Sequence, residues 1–260
     1  MKQSLKLLLT LLVFSACCKA ADTISEEIRS VLNSYSNHAY STRETLYNTY
    51  LLAVDCIQKN IPGDFIECGV ASGAQIAAMC LANKQLQQSH RKIHLFDSFE
   101  GIPLAGPNDD QQPGVGPINH TVDVQNLKEL LISSNSVYPQ LGQAAVCSLE
   151  NVQKQMQKWG FDSLPLVYHK GWFQNTLPID APAIHTICLL RLDGDLYEST
   201  KVCLEYLYAK VAKGGYIIID DYGSLTGCRK AVDEYLAAHN LHPTIVEVPG
   251  GLGPVYWRVE

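Results

Sequence analysis

The sequence has little basic charge and no metal-binding grouping of cysteines, and both shortages exclude classes of function. Lys and Arg number 20 against 26 Asp and Glu in 260 residues, which gives a net charge of −6. Duplex nucleic acid is bound through clustered Lys and Arg that displace counterions, and an acidic chain offers no such field. The nine cysteines include neither a Cys-x-x-Cys pair nor a Cys/His cluster with zinc spacing. We therefore expect no nucleic-acid partner and no structural zinc.

The first 20 residues contain no acidic residue and carry a different pattern from the rest of the chain. Lys2 and Lys6 precede an apolar run over residues 7–14, small residues follow at 15–18, and cleavage is expected after Ala20. This order is typical of a secretory signal, and the run is shorter than the roughly 20 residues that cross a bilayer. We predict that residues 1–20 are a signal peptide or membrane-anchor leader, and that the protein is exported or associates with a membrane. Lipid attachment at Cys17, and a cytoplasmic protein that keeps its leader, remain as alternatives.

The body of the chain alternates between helical and strand patterns. Apolar residues in the segment 21–60 recur every three or four positions, which predicts two helices acting as a lid over the following domain. Over 61–260 we predict one doubly wound α/β domain of Rossmann type, closed by a C-terminal antiparallel hairpin. The Pro- and Gly-rich segment 101–116 is predicted to be an exposed loop. The expected strands are 65–70, 92–97, 164–169, 186–193, 216–221, 244–248 and 255–259, and the expected helices are 74–86, 122–132, 148–159, 197–212 and 227–238.

The first two predicted strands each end near a carboxylate. Ligands of open α/β sheets bind outside the carboxyl ends of the strands. Glu67 is followed by Gly69 and Gly73, which would let a cofactor approach the backbone, and Asp97 is placed to accept ribose hydroxyls. A tight strand-to-helix turn and a solvated acid are the simpler alternatives for these residues.

Four further acids follow the two clearest buried strands. Asp193 and Asp195 end one strand, and Asp220 and Asp221 end the next. Carboxylates that crowd together repel one another unless a proton or cation intervenes, and Mg²⁺ prefers such oxygen ligands. The cluster therefore indicates a divalent-metal site. Helix N-capping explains single members of it, but not all four together.

Six ordered blocks of the sequence resemble the macrocin O-methyltransferase (TylF) family, and the match runs from about Thr42 to the C-terminus. The blocks are residues 65–73, 97–103, 171–178, 190–200, 214–222 and 227–234. The resemblance implies a class I methyltransferase fold and Mg²⁺-dependent methyl transfer from S-adenosylmethionine (SAM) to a sugar hydroxyl of a small molecule.

The family resemblance also implies roles for particular residues. The cofactor would be bound by Glu67, Gly69, Gly73, Asp97 and Ser98, and the metal by Asp193, Asp220 and Asp221. Asp195 is the expected base, a role that Asp193 could share.

Two functions of other classes stay open at this stage. Residues 193–195 also fit the Asp-x-Asp metal motif of a glycosyltransferase, and an exported binding protein could keep the fold without turnover. A homo-oligomer is an open alternative to a monomer.

Overall fold

The computed structural model describes most of the chain outside its N-terminus and one internal segment. The predicted leader over 1–20, the predicted helix over 122–132 and the second half of the predicted loop lie outside the described residues, which are 24–88, 90–103, 105–109 and 147–260. Within those ranges, every helix is too short or too polar to cross a membrane.

Seven strands and seven α-helices make up the described chain. The strands are β1 (Asp64–Cys68), β2 (Ile93–Asp97), β3 (Leu166–Lys170), β4 (Ile187–Leu192), β5 (Val211–Ile219), β6 (Val246–Glu247) and β7 (Val255–Arg258). The helices are α1 (Glu26–Ser36), α2 (Arg43–Gln58), α3 (Ala74–Gln85), α4 (Leu149–Lys158), α5 (Phe173–Asp180), α6 (Tyr197–Leu207) and α7 (Thr226–Ala238). Short 3₁₀ turns follow α5 and α6.

All seven strands belong to one sheet in the order β3-β2-β1-β4-β5-β7-β6. β1 to β5 are parallel, and β7 runs antiparallel between β5 and β6. The chain order reverses between β1 and β4, which is the point where open α/β sheets bind ligands. Cys68 pairs with Leu192 there, so the residues that follow these two strands lie side by side. The predicted doubly wound sheet with a C-terminal antiparallel hairpin is confirmed.

One helix boundary and one additional helix differ from the sequence prediction for physical reasons. The predicted helix over 197–212 ends at Leu207, because Val211 is buried and pairs with Ile187 at the start of β5. The helix α5 was not predicted at all. It is only eight residues long and contains Pro178, which removes a backbone donor and weakens the helical pattern.

The N-terminal helix α2 is part of the core. Leu46, Ala53 and Cys56 on this helix are fully buried, and Asp55 accepts a hydrogen bond of 2.6 Å from the Tyr216 hydroxyl on β5. α2 therefore covers one face of the sheet beside α3. That residues 21–60 act as a lid remains a prediction.

The linker between α1 and α2 reaches the turn after β1. The His38 carbonyl accepts a hydrogen bond from the Ser72 hydroxyl, and Ser41 accepts one of 2.7 Å from the Gln75 amide. The N-terminal segment thus contacts the loop that sequence reasoning assigns to the cofactor.

The seven cysteines of the described residues are all free thiols. Six of them are buried and Cys147 is half-buried. The buried six are Cys56, Cys68, Cys80, Cys188, Cys203 and Cys228.

Four titratable side chains form a hydrogen-bonded row across β1, β2, β3 and the end of α5. His94 lies 3.3 Å from Asp64 and 3.0 Å from His169 between their nearest polar atoms, and His169 lies 2.8 Å from Asp180. The Phe96 ring stacks on His169 with a centroid distance of 3.9 Å. Burial lowers the pKa of His169 below its ordinary value, against the opposing effect of Asp180.

We expect this row to make stability depend on pH. Between the lowered pKa of folded His169 and the ordinary histidine pKa of about 6.5, the unfolded chain binds more protons, so the free energy of unfolding rises with pH. His169→Gln removes this titration and should reduce the stability lost between about pH 7.5 and about pH 5.5 in urea titrations. His242→Gln, at an exposed histidine, should retain the wild-type loss. An unchanged loss in His169→Gln would contradict the assignment.

Candidate active site

A buried arginine lies at the centre of the acidic strand ends. Arg191 on β4 is fully buried. Its Nη1 donates to Glu67 Oε1 and to Asp193 Oδ2, both at 2.7 Å, and its Nη2 donates to Asp220. Sequence reasoning gave this residue no role. The available signal was a single charged residue inside an otherwise apolar strand, which requires buried partners.

Burial and Arg191 have opposite effects on the pKa values of two of these acids, Glu67 and Asp220. Burial raises the pKa of Glu67 to about 8 although Arg191 lowers it, and Glu67 Oε2 has no hydrogen-bond partner among the described residues. Burial likewise raises the pKa of Asp220 to about 7, again opposed by Arg191. Both acids therefore have raised pKa values in spite of Arg191, and the contact between Glu67 and Arg191 lies in the interior of the sheet.

A second cluster consists of Asp193, Asp195 and Asp221. One carboxylate oxygen from each lies within 4.8 Å of the other two. Asp221 also accepts a hydrogen bond of 3.1 Å from the backbone N–H of Asp195. Burial, and then repulsion between these carboxylates, raises the pKa of both Asp195 and Asp221 well above the usual range. Three hard oxygen donors at this spacing fit a single divalent cation.

The structure differs from the predicted metal set in one member. Asp193 and Asp221 belong to both sets, whereas the third member of the cluster is Asp195 in place of Asp220. The carboxylate of Asp220 instead contacts Arg191, which supplies its counter-charge. Asp195 has φ 58°, a left-handed conformation that is costly for a residue with a side chain and is concentrated at functional sites.

The predicted ribose ligand Asp97 holds the turn after β1. Its Oδ2 accepts hydrogen bonds from the N–H groups of Val70 at 2.6 Å and Ala71 at 3.2 Å, and its Oδ1 accepts one from Phe99 at 2.7 Å. Burial raises the pKa of Asp97, while these backbone bonds lower it. The neighbouring Ser98 is buried and donates to the Gly101 carbonyl at 2.6 Å.

Backbone packing requires a glycine at position 69, and a positive φ favours glycine at both position 69 and position 73. A Cβ on Gly69 would lie 1.8 Å from the Asp193 carbonyl oxygen, and one on Gly73 would lie 2.5 Å from Met156 Cε. Both residues have positive φ, near +90°, which L side chains rarely adopt. Close contact between β1 and β4 thus accounts for Gly69 before any cofactor is considered.

A cavity of about 50 Å³ connects the two halves of the site. Five of the predicted site residues line it, namely Gly69, Asp97, Ser98, Asp193 and Asp195. Its remaining lining residues are Gly101, Ile102, Pro103, Trp172, Phe173, Gln174, Gly194 and Ser199. The cavity therefore joins the turn after β1 to the acidic cluster, with the start of α5 forming one wall.

The sheet order, with acids at the ends of its parallel strands and a cavity at the switch point between β1 and β4, defines a Rossmann-like α/β fold. Its likeness to a solved O-methyltransferase structure identifies it as a class I methyltransferase fold. Comparison with known proteins agrees. The family model Macrocin-O-methyltransferase (TylF) matches residues 19–259.

Two relatives and one solved structure that are similar to the chain are also O-methyltransferases. The chain is 33% identical over 242 residues to demethyldecarbamoylnovobiocin O-methyltransferase of Streptomyces niveus, covering 91% of this chain and 82% of that one. It is 34% identical over 198 residues to 8-demethyl-8-(2,3-dimethoxy-alpha-L-rhamnosyl)-tetracenomycin-C 4'-O-methyltransferase of Streptomyces olivaceus, covering 76% and 66%. The structure of the O-methyltransferase NovP is similar with a TM-score of 0.69 at 29% identity, covering 84% of this chain and 80% of that one.

The chain belongs to the macrocin O-methyltransferase family and is an O-methyltransferase. The resemblance inferred from the six sequence blocks is confirmed. The comparisons favour methyl transfer over the glycosyltransferase considered as an alternative.

Proposed function

We propose that the protein transfers a methyl group from SAM to a hydroxyl of a sugar-containing small molecule, with Mg²⁺ bound at the acidic cluster. The observation that carries this proposal is the convergence of Asp193, Asp195 and Asp221 within 4.8 Å, at the sheet edge where Gly69 and Asp97 line the adjoining cavity. One relative is named for a rhamnosyl-bearing acceptor, which supports a sugar in the substrate.

The carboxylates of the acidic cluster would have different roles, some as metal ligands and one as the general base. Asp193 and Asp221, shared by the predicted set and the observed cluster, would hold the cation, and Asp220 or Asp195 would complete its protein ligands. When bound, Mg²⁺ supplies a Lewis acid that lowers the pKa of the acceptor hydroxyl. Asp195 would accept the hydroxyl proton, so that the oxygen forms a bond to the methyl carbon while the bond from that carbon to sulfur breaks.

The turn after β1 and the end of β2 would hold SAM through Glu67, Gly69, Gly73, Asp97 and Ser98. Three of these residues line the cavity, and Asp97 fixes the backbone of the turn. Ligand pockets commonly measure about 300–1,000 Å³. Since the cavity measures about 50 Å³, it can hold only part of a nucleoside-sized ligand.

Methyl transfer is tested directly by incubating the purified protein with methyl-labelled SAM, Mg²⁺ and candidate acceptors. Demethyldecarbamoylnovobiocin and the rhamnosylated tetracenomycin named above are suitable probes. Labelled product that disappears in Asp195→Asn supports the proposal. Binding of a probe without any methyl transfer would favour the non-catalytic alternative.

We expect Asp97→Ala to weaken SAM binding by about 1.5–3 kcal/mol, the value of a charge-assisted hydrogen bond. The change removes a ribose acceptor and also releases the N–H groups of Val70 and Ala71. Calorimetry with SAM measures the effect, and Glu100→Ala, at an exposed acid three residues along, is the matched control. Equal affinity in Asp97→Ala and the wild type would exclude a role for Asp97 in cofactor binding.

A further inference from the structure

The loop after β2 is fixed to the protein at Asp109. We call the described residues 98–103 and 105–109 the β2 loop. The sequence predicts an exposed loop over 101–116, and this prediction is wrong at Asp109, which is only 7% exposed. Its Oδ1 accepts a hydrogen bond of 2.7 Å from the Tyr197 N–H, and its Oδ2 accepts one of 2.6 Å from the Gly106 N–H. The carboxylate satisfies backbone donors on both the loop and the helix, which explains its burial.

Asp109 acts as the N-cap of a helix that is distant in sequence. The first N–H groups of a helix lack internal partners and are normally satisfied by the side chain of the N-cap residue. The N-cap position of α6 is occupied by Leu196, which makes no side-chain capping bond. Asp109 supplies that acceptor from the β2 loop, so the start of α6 and the end of the loop are held together.

The helix α7 has a space for this carboxylate. A Cβ on Gly227 would lie 2.3 Å from Asp109 Oδ1 and 3.1 Å from Asp109 Cα. The adjacent Asn108 accepts a hydrogen bond of 2.8 Å from Lys230, whose Nζ also lies 5.4 Å from the centroid of the Tyr197 ring. Two helices therefore hold the end of the β2 loop. The helix α6 is capped by Asp109, and α7 packs against Asp109 at Gly227 and donates a hydrogen bond from Lys230 to Asn108.

Both attachments lie next to the candidate active site. Tyr197 follows Asp195 by two residues, and α7 follows the strand end that carries Asp221. Gly101, Ile102 and Pro103 of the same β2 loop line the cavity. The Asp109 contacts consequently connect one wall of the cavity to the backbone that carries the proposed base.

We propose that Asp109 is a positioning residue for methyl transfer, which fixes the cavity wall formed by the β2 loop relative to the Asp195 backbone. Its kinetic role rests on the proposed function. The turn after β1 is held separately by Asp97, so loss of the Asp109 contacts should affect the acceptor side of the reaction more than SAM binding.

Hydrogen exchange followed by mass spectrometry tests the contact without any need for turnover. In Asp109→Ala, peptides that contain Tyr197 and peptides from the β2 loop should exchange roughly 2- to 30-fold faster, as expected for the loss of a helix cap. Gly227→Ala leaves the carboxylate in the sequence but removes its space, and should give the same pattern. Ser25→Ala removes the cap of α1 and should speed exchange there, leaving Tyr197 unchanged. Unchanged exchange at Tyr197 in both the Asp109 and Gly227 variants would overturn the proposal.

Steady-state kinetics with demethyldecarbamoylnovobiocin test the positioning role, with SAM affinity measured in parallel. We expect a higher acceptor KM or lower kcat in Asp109→Ala and Gly227→Ala, little change in SAM affinity, and partial recovery in Asp109→Asn, which retains one oxygen acceptor. Faster exchange with wild-type acceptor kinetics would show a purely structural cap and reject the positioning role. If the wild type methylates no acceptor, the proposed function fails, and the exchange result alone decides whether Asp109 holds the two segments.

Discussion

Arg191→Met is expected to destabilise the protein by about 3–5 kcal/mol, the cost of removing one partner from a buried ion pair. The change would leave Asp193 and Asp220 without their shared counter-charge, next to the already crowded Asp195 and Asp221. Glu67 would lose its ion pair with Arg191, although its raised pKa favours the neutral form. Arg191→Lys should recover part of the loss at most, because one ammonium group cannot reproduce the planar fork that reaches three carboxylates.

Urea or thermal unfolding measures this effect, and Lys59→Met is the matched control. Lys59 also pairs with a carboxylate, Asp55, at 2.8 Å, but its side chain is 48% exposed. Surface pairs of this kind contribute about 0–1 kcal/mol. If the two methionine variants proved equally stable, Arg191 would not be the electrostatic centre of the strand ends.

Asp193→Asn and Asp221→Asn are expected to abolish methyl transfer while leaving SAM affinity nearly unchanged. Both residues belong to the predicted metal set and to the observed cluster, and the ion would act on the acceptor. Asp195→Asn should lower kcat by roughly 10²–10⁴-fold if this residue is the general base. Full activity after chelation of divalent ions would show that the metal role is wrong.

A comparison of Asp195→Asn with Asp220→Asn identifies the third metal ligand. Mg²⁺ affinity can be followed through the rise in melting temperature that a bound ion produces. If Asp220→Asn loses Mg²⁺ binding and Asp195→Asn keeps it, the set implied by the family resemblance is correct, and Asp220 must turn away from Arg191 when the ion binds. The reverse result would assign the ion to the cluster observed in the structure.

The sheet could be predicted from the sequence because its strands are short apolar runs that end in acids. Residues 186–193 and 216–221 illustrate this, since each run gave a strand whose end carries the acids of the site. The same reasoning placed Asp193 and Asp221 together, because the carboxyl ends of neighbouring parallel strands meet at one edge.

What the sequence could not show were contacts between residues that are distant along the chain. Arg191 is one charged residue in an apolar strand, and its three partners come from three different strand ends. Asp109 lies in a polar loop segment, where composition favours exposure, and its buried partner Tyr197 lies on a distant helix. Gly69 matched a cofactor motif, yet its lack of a side chain is already required by the Asp193 backbone, a constraint visible only in three dimensions.

The reactivity of the cysteine thiols depends on whether the folded layers of the protein have separated. Thiolates are the reactive form of cysteine, and burial raises the pKa of thiols such as Cys68 and Cys228, which belong to one buried apolar cluster. The reaction of these thiols with alkylating or oxidising reagents is therefore slow for two reasons: the reagent has little access, and the fraction of thiolate is small. The half-buried Cys147 reports on the surface, whereas the six buried thiols become reactive only when the layers around the sheet separate. In an oxidising compartment, the same arrangement would protect these six thiols for as long as the layers around the sheet stay together.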